Sequence, residues 1–388
     1  MTACIIGWSH LPFGRREGET VESLIVAAAR QALAHSEIGP EDVDEIFLGH
    51  FNAGFSSQDF TAGLVLQADS DLRFKPATRV ENACATGSAA VHCALRSIEA
   101  RRARLTLVVG VEHMSAASAS DVARNLLRAS YVEEEGETPA GFAGVFGNIA
   151  AAYFQAYGDQ SDALAMIAAK NHRNGVDNPY AQIRKDLGFE FCRRVSDKNP
   201  FVAGPLKRTD CSPVSDGAAA LVIADQESAQ AMSRAVAFRS TAHVQDFLPM
   251  SRRDVLSFEG CGMAWSRALE EGRLQLSDLS FVETHDCFTI AELIEYEAMG
   301  LASRGRGADV ARDGIAERSG RLPINPSGGL KAKGHPIGAT GVSMHVLAAM
   351  QLCEEAGDMQ IPGAKIGGVF NMGGTAVANY VSLMERLR

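Results

Sequence analysis

The strongest constraint on the fold is a regular alternation of short apolar runs with helical patterns along most of the 388-residue chain. A helix is predicted after Thr20, because Val21, Leu24, Ile25 and Ala28 recur on one face. Candidate strands are short apolar runs and cover 3–8, 45–50, 105–111, 219–224, 236–243, 281–284, 365–370 and 379–384. Such alternation predicts a layered α/β fold with largely buried strands.

The middle of the chain differs in composition from its flanks. Residues 115–213 are richer in polar residues, glycine and asparagine, and contain one clear helical pattern, at 161–174, which ends before Gly175. A long irregular excursion is one interpretation, but structureless loops beyond ~15 residues are uncommon in compact domains. We therefore expect three units: an inserted loop domain at 115–213, an N-terminal half at 1–114 plus 214–235, and a C-terminal half at 236–388.

A short motif occurs twice in the same predicted context. The tripeptide A-T-G at 85–87 opens an alanine-rich helical stretch that leads to the candidate strand at 105–111. The same tripeptide at 339–341 opens a second helical stretch that leads to the strand at 365–370. Three matching residues can arise by chance, but the shared order of turn, helix and strand favours an internal duplication.

Composition limits the classes of function. The formal net charge is −10, which argues against a general nucleic-acid or membrane-surface binder. No apolar run approaches the ~20 residues needed to span a bilayer, and the N-terminus lacks the pattern of a signal peptide. The eight cysteines include no C-x-x-C pair, which is typical of reduced thiols rather than a disulfide framework or a zinc ribbon. We therefore expect a cytoplasmic protein.

One candidate nucleophile is Cys84, in the segment V-E-N-A-C-A-T-G-S-A-A at 80–90. It lies at a predicted strand-to-helix turn and is followed by small residues that leave the thiol accessible. The unpaired N–H groups and the dipole at a helix N-terminus stabilise a thiolate. A buried structural cysteine fits this segment about as well.

A candidate base is His335, inside the turn-rich segment at 325–341. Gly334 precedes it and Pro336 follows it, so the imidazole is held in a rigid turn, which suits a positioned base. The segment is not a P-loop, because a histidine stands where the phosphate-binding lysine would be. The neighbouring lysines are interpreted as solvated charges, with contact to ligand phosphates as the alternative; they are Lys331 and Lys333.

A third candidate group is the segment H-D-C-F at 285–288, which follows an apolar run. His285 and Cys287 alternate with an aspartate, so in extended geometry both side chains point to one side. We interpret them as proton-transfer partners. Metal ligation together with Cys84 and His335 is the alternative, and it fits this context less well. The next four residues, T-I-A-E, predict a capping box for a following helix.

A fourth segment is F-N-M-G-G-T at 370–375, which follows a predicted buried strand. Its glycine pair can turn backbone N–H groups toward a ligand oxygen and so form an oxyanion site. For this segment alone, a simple turn is the better interpretation.

Taken together, the four segments resemble the thiolase family, and the resemblance runs essentially from end to end. Cys84 in N-A-C-A-T-G-S looks like the family's acylated nucleophile. G-H-P-I-G-A-T-G at 334–341 matches the family's most specific motif, which implies that His335 activates the nucleophile. S-D-G-A-A-A at 215–220 matches the segment where relatives return from an inserted loop domain, and Ser212 stands where relatives contact coenzyme A. The implied fold is a duplicated α/β/α/β/α arrangement with an inserted loop domain.

Two motifs depart from the common thiolase pattern. Most members carry a second catalytic cysteine in a C-x-G turn, where this chain has N-M-G at 371–373, and N-E-A-F where this chain has H-D-C-F. The H-D-C-F version is similar to thiolases linked to sterol carrier proteins. That resemblance implies that Cys287 is the second acid/base and that His285 replaces the asparagine that holds a water in one oxyanion hole. The N–H of Gly373, with that of Cys84, is expected to form the other hole.

The resemblance implies an acyl-CoA C-acyltransferase that cleaves a 3-oxoacyl-CoA with coenzyme A, or runs the reverse Claisen condensation, without a metal or redox cofactor. It also implies a homodimer or tetramer and leaves room for a small accessory protein. The alternatives are a thiolase-fold retro-aldolase, a partner-dependent acyltransferase and a non-catalytic acyl-CoA- or lipid-binding protein. The missing C-x-G cysteine keeps altered chemistry open, whereas the retention of a nucleophile, a base and a second thiol favours the thiolase.

Overall fold

The computed structural model describes residues 3–387, and each strand expected from the sequence is present to within a few residues. The strands are β1 (Ala3–His10), β2 (Glu45–Gly49), β3 (Ala77–Val80), β4 (Leu105–His113), β5 (Phe201–Ala203), β6 (Leu206–Lys207), β7 (Asp216–Asp225), β8 (Val236–Gln245), β9 (Phe281–Glu283), β10 (Ile366–Gly373) and β11 (Ala378–Arg386). The helices are α1 (Val21–Ser36), α2 (Thr86–Glu99), α3 (Ala119–Leu126), α4 (Val132–Glu135), α5 (Phe142–Tyr157), α6 (Ser161–Gly175), α7 (Gly188–Arg193), α8 (Gln226–Ala229), α9 (Glu259–Gly272), α10 (Thr289–Ala298), α11 (Gly307–Arg312), α12 (Gly329–Lys333) and α13 (Ile337–Leu352). Within residues 3–387, no helix is both long and apolar enough to cross a membrane.

Nine strands form one sheet in the order β3-β2-β4-β7-β1-β8-β11-β10-β9. The order β1-β7-β4-β2 on one side is repeated as β8-β11-β10-β9 on the other. In both halves the first two pairings are antiparallel and the third is parallel. The halves meet where β1 pairs antiparallel with β8. The predicted internal duplication is therefore confirmed.

The alternation of side chains along each strand explains the layers. In β2, Ile46 packs with the outer helix α1, whereas its neighbour Phe47 belongs to the apolar cluster that contains α2. The helices α2 and α13 contact each other, α13 reaches strands of both halves, and α9 covers β8 and β11. All residues of β1 and β7 are buried, as expected for strands covered on both faces. The two halves of the sheet thus form the two β layers, with α2 and α13 between them and α1 and α9 outside, which is the predicted α/β/α/β/α layering.

The segment between β4 and β7 holds five helices, α3 to α7, and the hairpin β5–β6. Only α6 is predicted from the sequence. Helix α5 has the sequence FAGVFGNIAAAYFQAY, in which apolar residues occur on every side and two glycines lower the helix propensity, so that no 3.6-residue period stands out. The segment thus contains more secondary structure than its composition indicates. The limits 115–213 of the loop domain stay a prediction.

Helix α10 begins without the predicted capping box. Its N-cap is Phe288, which makes no side-chain cap. The hydroxyl of Thr289 instead donates to the Asp210 carboxylate (3.0 Å), and Glu292 accepts from Lys170 Nζ (2.5 Å). Because both side chains bind partners from other elements, this local prediction is wrong.

Candidate active site

Three of the four remote segments that were expected to carry the chemistry line one cavity, and the fourth, 370–375, contacts the Cys84 turn through Asn371. Cys84 precedes α2, the H-D-C-F segment joins β9 to α10, and His335 lies between α12 and α13. A cavity of about 180 Å³ is lined by Cys84, Cys287, His335 and Ser212 among other residues. The sulfur of Cys84 and one nitrogen each of His285 and His335 lie within 4.8 Å of one another. These groups can therefore act on one small ligand.

The nucleophile turn buries the Cys84 thiol. Ala83 has a φ of 49°, a left-handed conformation that costs a non-glycine residue free energy, and Cys84 is only 3% exposed. Burial raises the pKa of the thiol to about 12, against the effect of hydrogen bonds from the N–H groups of Gly374 and of Cys84 itself. The helix N-terminus thus does not outweigh burial, and the nucleophile is a neutral thiol that needs a base.

The hydrogen bonds of His335 leave it one free basic nitrogen. Its Nδ1 lies 2.7 Å from Thr340 Oγ1, and the Thr340 hydroxyl donates to the Pro336 carbonyl (2.9 Å). Since a hydroxyl has one proton, Oγ1 accepts from Nδ1–H and the lone pair resides on Nε2. Among residues 3–387, Nε2 has no hydrogen-bond partner. Burial, and then the charge of Lys333, lowers the pKa of His335 to about 3, so the imidazole is neutral and able to accept a proton.

His285 has the opposite tautomer. The side-chain nitrogen of Asn371 lies 2.8 Å from His285 Nδ1 and 3.2 Å from the Cys84 carbonyl oxygen. The carbonyl can only accept, so the amide N–H₂ faces both groups, and Nδ1 of His285 accepts. The proton of His285 is therefore on Nε2, which has no partner within the described residues. Beside His335, at a ring-centroid distance of 5.0 Å, His285 supplies a donor where His335 supplies an acceptor.

Cys287 is the second thiol at the cavity. Burial, and next the Cys84 sulfur, raise its pKa well above the ordinary value of a thiol. The thiol therefore carries its proton at neutral pH, so a proton is present at the cavity. The carbonyl of Cys287 accepts from the N–H of Ser212 (2.9 Å). Ser212, the residue expected to contact coenzyme A, is therefore hydrogen-bonded to the turn that carries Cys287.

The glycine pair Gly373–Gly374 packs against the turn that carries Cys84. Gly374 has a φ of 63°, and its N–H hydrogen-bonds to the Cys84 sulfur. A Cβ on Gly373 would lie 2.5 Å from the Asn82 carbonyl, and one on Gly374 would lie 2.8 Å from that of Ala129. Neither position has room for a side chain. The donor that reaches the sulfur is thus one residue beyond Gly373, whose own donor role stays a prediction.

Two lysines near His335 are buried, so the prediction that they are solvated is wrong. Lys331 is 3% and Lys333 is 0% exposed. Lys331 Nζ donates to the Cys211 carbonyl (2.6 Å), while Lys333 Nζ has no hydrogen-bond partner in the described part of the chain. Both belong to α12, a five-residue helix that is buried on all sides.

The hydrogen bonds also bear on metal ligation. Cys84, His285 and His335 are close enough to suggest a metal site. A metal would need a lone pair from each imidazole. Because Asn371 donates to Nδ1 of His285, the free Nε2 of that ring carries a proton. The donor set is therefore arranged for proton transfer and hydrogen bonding.

Two residues of the site, Thr340 and Asn371, were not assigned a role from the sequence, and Gly374 was named only as a member of the glycine pair. All three lie inside the segments quoted above. Thr340 sits in the first turn of α13, and Asn371 stands where the C-x-G cysteine is missing. A polar residue at a departure from a family motif is the signal that points to Asn371.

Comparisons with known proteins agree with this geometry. Two family models match the chain: "Thiolase, N-terminal domain" at residues 3–188 and "Thiolase C-terminal domain-like" at residues 242–386. The chain is 31% identical over 385 residues to an acetyl-CoA acetyltransferase of Methanothermobacter thermautotrophicus, covering 98% of this chain and 99% of the relative. It is 32% identical over 376 residues to sterol carrier protein 2 of Bos taurus, covering 92% of this chain and 67% of the relative.

A solved structure, the Ltp2-ChsH2(DUF35) aldolase, has the same fold, with a TM-score of 0.84 at 20% identity and coverage of 100% of this chain and 98% of that one. At this identity the likeness establishes the fold alone. The family models and the archaeal relative together span nearly the whole chain and establish the family. The chain therefore belongs to the thiolase family and is an acyltransferase.

Proposed function

We propose that the chain cleaves 3-oxoacyl-CoA thioesters by thiolysis, and runs the reverse Claisen condensation, through an acyl-Cys84 intermediate. The observation that carries this proposal is the convergence of a thiol, a base of defined tautomer and a second thiol at one cavity. The name of the archaeal relative, acetyl-CoA acetyltransferase, supports the same reaction class.

The first step is nucleophilic attack. Nε2 of His335 takes the proton of Cys84, and the thiolate attacks the keto carbon of the substrate. Burial raises the pKa of the thiol to about 12 and lowers that of the imidazole to about 3, so the pair is neutral before attack. Proton transfer therefore accompanies attack, and the N–H of Gly374 stabilises the sulfur's negative charge as it forms.

The second step breaks the bond between the second and third acyl carbons. Acetyl-CoA, or propionyl-CoA from a 2-methyl substrate, leaves as an enolate and takes a proton from Cys287. An enolate oxygen needs fixed donors, and the Nε2–H of His285 suits that task. Coenzyme A then attacks the thioester on Cys84 and gives its proton to the Cys287 thiolate. The departing Cys84 thiolate recovers its proton from His335, which restores the resting state.

Coenzyme A is proposed to enter beside Ser212, which lines the cavity. The remaining lining is largely apolar, with Met114, Leu126, Phe142 and Val202, and suits an acyl or pantetheine chain. The dimer or tetramer, the cytoplasmic location, the accessory protein and the limits of the loop domain stay predictions.

A retro-aldolase is the second candidate function. It is favoured by Asn371, which replaces the C-x-G cysteine, and by the shared fold of the Ltp2-ChsH2(DUF35) aldolase. That reaction needs no acyl-cysteine, so the two candidates differ in their use of Cys84.

The test is incubation with a short 3-oxoacyl-CoA and coenzyme A while the absorbance of the substrate enolate is followed. We expect loss of absorbance, an acyl adduct on Cys84 in mass spectra, and no turnover by Cys84→Ser. Turnover retained by Cys84→Ser would contradict the proposal. Binding of acyl-CoA without adduct or turnover would indicate a carrier.

A further inference from the structure

The aspartate of the H-D-C-F segment reaches a second catalytic loop. Asp286 is fully buried. Its Oδ1 accepts from the N–H of Leu330 (2.6 Å) and its Oδ2 from the N–H of Lys331 (3.1 Å). These amides lie in the first turn of α12, which ends two residues before His335. One carboxylate thus joins the turn that carries His285 and the second thiol to the helix that carries the base.

A glycine pair makes this contact feasible. Gly328 and Gly329 have φ values of 95° and 59°, which favour glycine. A Cβ on Gly329 would lie 2.3 Å from Asp286 Oδ2, and one on Gly328 would lie 2.6 Å from the Cα of Gly175. The two glycines therefore allow α12 to pack against the carboxylate and the end of α6.

Helix α6 supplies the third donor. Nδ2 of Asn171 donates to Asp286 Oδ2 (2.7 Å) and to Glu292 Oε2 (2.6 Å). Lys170 Nζ donates to the other oxygen of Glu292 (2.5 Å). The Asn171 amide thus joins the two carboxylates, and the Lys170 ammonium hydrogen-bonds to Glu292. In a buried network of this kind the loss of one acceptor leaves donors unpaired, which costs more than the bond itself contributes.

We propose that Asp286 is a positioning residue that sets the distance between His335 and the His285–Cys287 turn. The inference rests on the proposed function, in which these groups act on one substrate. Asp286 itself points away from the cavity and touches no reacting atom. Its carboxylate holds α12 by two backbone amides, and a displacement of about 1 Å at such a site can cost on the order of 100-fold in rate.

The test compares Asp286→Asn with Asp286→Glu and with a matched control, Asp225→Asn. Asp225 is also buried and accepts a backbone N–H, from Ser228 (2.7 Å), but caps α8 and does not line the cavity. We expect Asp286→Asn to lower kcat by on the order of 10- to 100-fold with KM within about 2-fold of wild type. Asp286→Glu keeps the acceptor oxygens but moves them by one methylene in a fully buried site, so it should recover only part of kcat, and Asp225→Asn should match wild type.

A second readout separates this inference from the proposed function. Alkylation of Cys84 by iodoacetamide, followed by peptide mass spectrometry, reports activation of the thiol by His335 and needs no acyl-CoA. We expect slower alkylation of Cys84 in Asp286→Asn than in wild type at equal pH. If wild type fails to catalyse thiolysis but this difference is present, the function is wrong and the positioning role stands.

Unchanged kcat and an unchanged rate of Cys84 alkylation in a folded Asp286→Asn variant would overturn the inference. A loss of kcat and of alkylation rate that is proportional to the loss of folded protein, as measured by circular dichroism, would also overturn it. If Asp286→Asn does not fold, Asn171→Ser decides by the same two readouts. This substitution removes one of the three donors to Asp286 and keeps the hydrogen bond between the Leu330 N–H of α12 and the Asp286 carboxylate. A fall in kcat without a change in KM supports the role, and wild-type values for both readouts contradict it.

Discussion

The side-chain nitrogen of Asn371 lies 2.8 Å from Nδ1 of His285. Asn371 stands where most thiolases have the cysteine of the C-x-G turn, and His285 is the first residue of H-D-C-F. The two departures from the common pattern are therefore in direct contact. Because the same amide also donates to the Cys84 carbonyl, the position that lost a thiol now defines the tautomer of the imidazole beside the nucleophile.

Asn371→Asp tests this relationship. A carboxylate can only accept, so Nδ1 of His285 would have to carry the proton and Nε2 would lose its role as a donor. We expect thiolysis to slow by on the order of 10²- to 10³-fold, as when one oxyanion donor is removed. The control is Asn379→Asp, since Asn379 is equally buried and donates to the Ala376 carbonyl (2.9 Å) away from the cavity. Equal rates in the two variants would refute the assignment.

Thr340→Val tests the tautomer of His335. The change removes the hydroxyl that accepts from Nδ1–H and leaves a side chain of nearly equal volume. We expect kcat to fall by at least about 10-fold, since general-base catalysis contributes on the order of 10²- to 10⁴-fold. Thr106→Val, which deletes a buried hydroxyl on β4, should leave kcat unchanged. The measurement is the steady-state rate of both variants at several pH values. A Thr340→Val rate near that of wild type would count against the role of Thr340 in fixing the His335 tautomer.

The parts of the fold that the sequence predicted well are those set by local periodicity. The strands β1, β4 and β7 are continuous apolar runs because they are buried on both faces, and the cap at Thr20 is made by its own side chain. Helix α5 was missed because its apolar residues surround it. Strand β3 was missed because it is a four-residue edge strand, partly exposed, with no apolar run.

That Cys84, His335 and Cys287 lie at one cavity was predictable from residue type and motif, whereas their catalytic roles stay predictions. The site was not predictable where it depends on which atoms meet in space. Lys333 looks solvated in sequence because nothing local shows that α12 is buried. The acceptor role of His285 Nδ1 follows from a contact between residues 285 and 371, which are remote in sequence. The donor role of His335 Nδ1 follows from Thr340, which is only five residues away, but the hydrogen bond between them depends on the folded turn.

The free energy of unfolding is expected to fall as the pH is lowered from 7.5 to 5.0. Burial lowers the pKa of His10, His172 and His335 to about 3 and that of His345 to about 4. Below the unfolded pKa of about 6.5 the unfolded chain binds these protons and the folded chain does not, so stability is lost. Buried carboxylates with a raised pKa, such as Asp286 at about 7, act in the opposite direction but are fewer. Urea midpoints at the two pH values measure the balance, and a higher midpoint at pH 5.0 would show that the carboxylates dominate.

His172→Leu isolates one of these protons. His172 is 1% exposed on α6, and neither ring nitrogen has a hydrogen-bond partner among residues 3–387, so the substitution removes a buried polar group without breaking a bond. With a folded pKa of about 3, this histidine alone accounts for about 2 kcal/mol of the stability lost between pH 7.5 and pH 5.0. The variant should therefore lose about 2 kcal/mol less than wild type over that range, as measured by urea unfolding at both pH values. His243→Leu, at a half-buried position on β8 where the pKa is lowered less, is the control and should change the difference by a smaller amount. An equal pH dependence in wild type and His172→Leu would contradict the prediction. It would mean that the folded protein protonates the His172 imidazole as readily as the unfolded chain does.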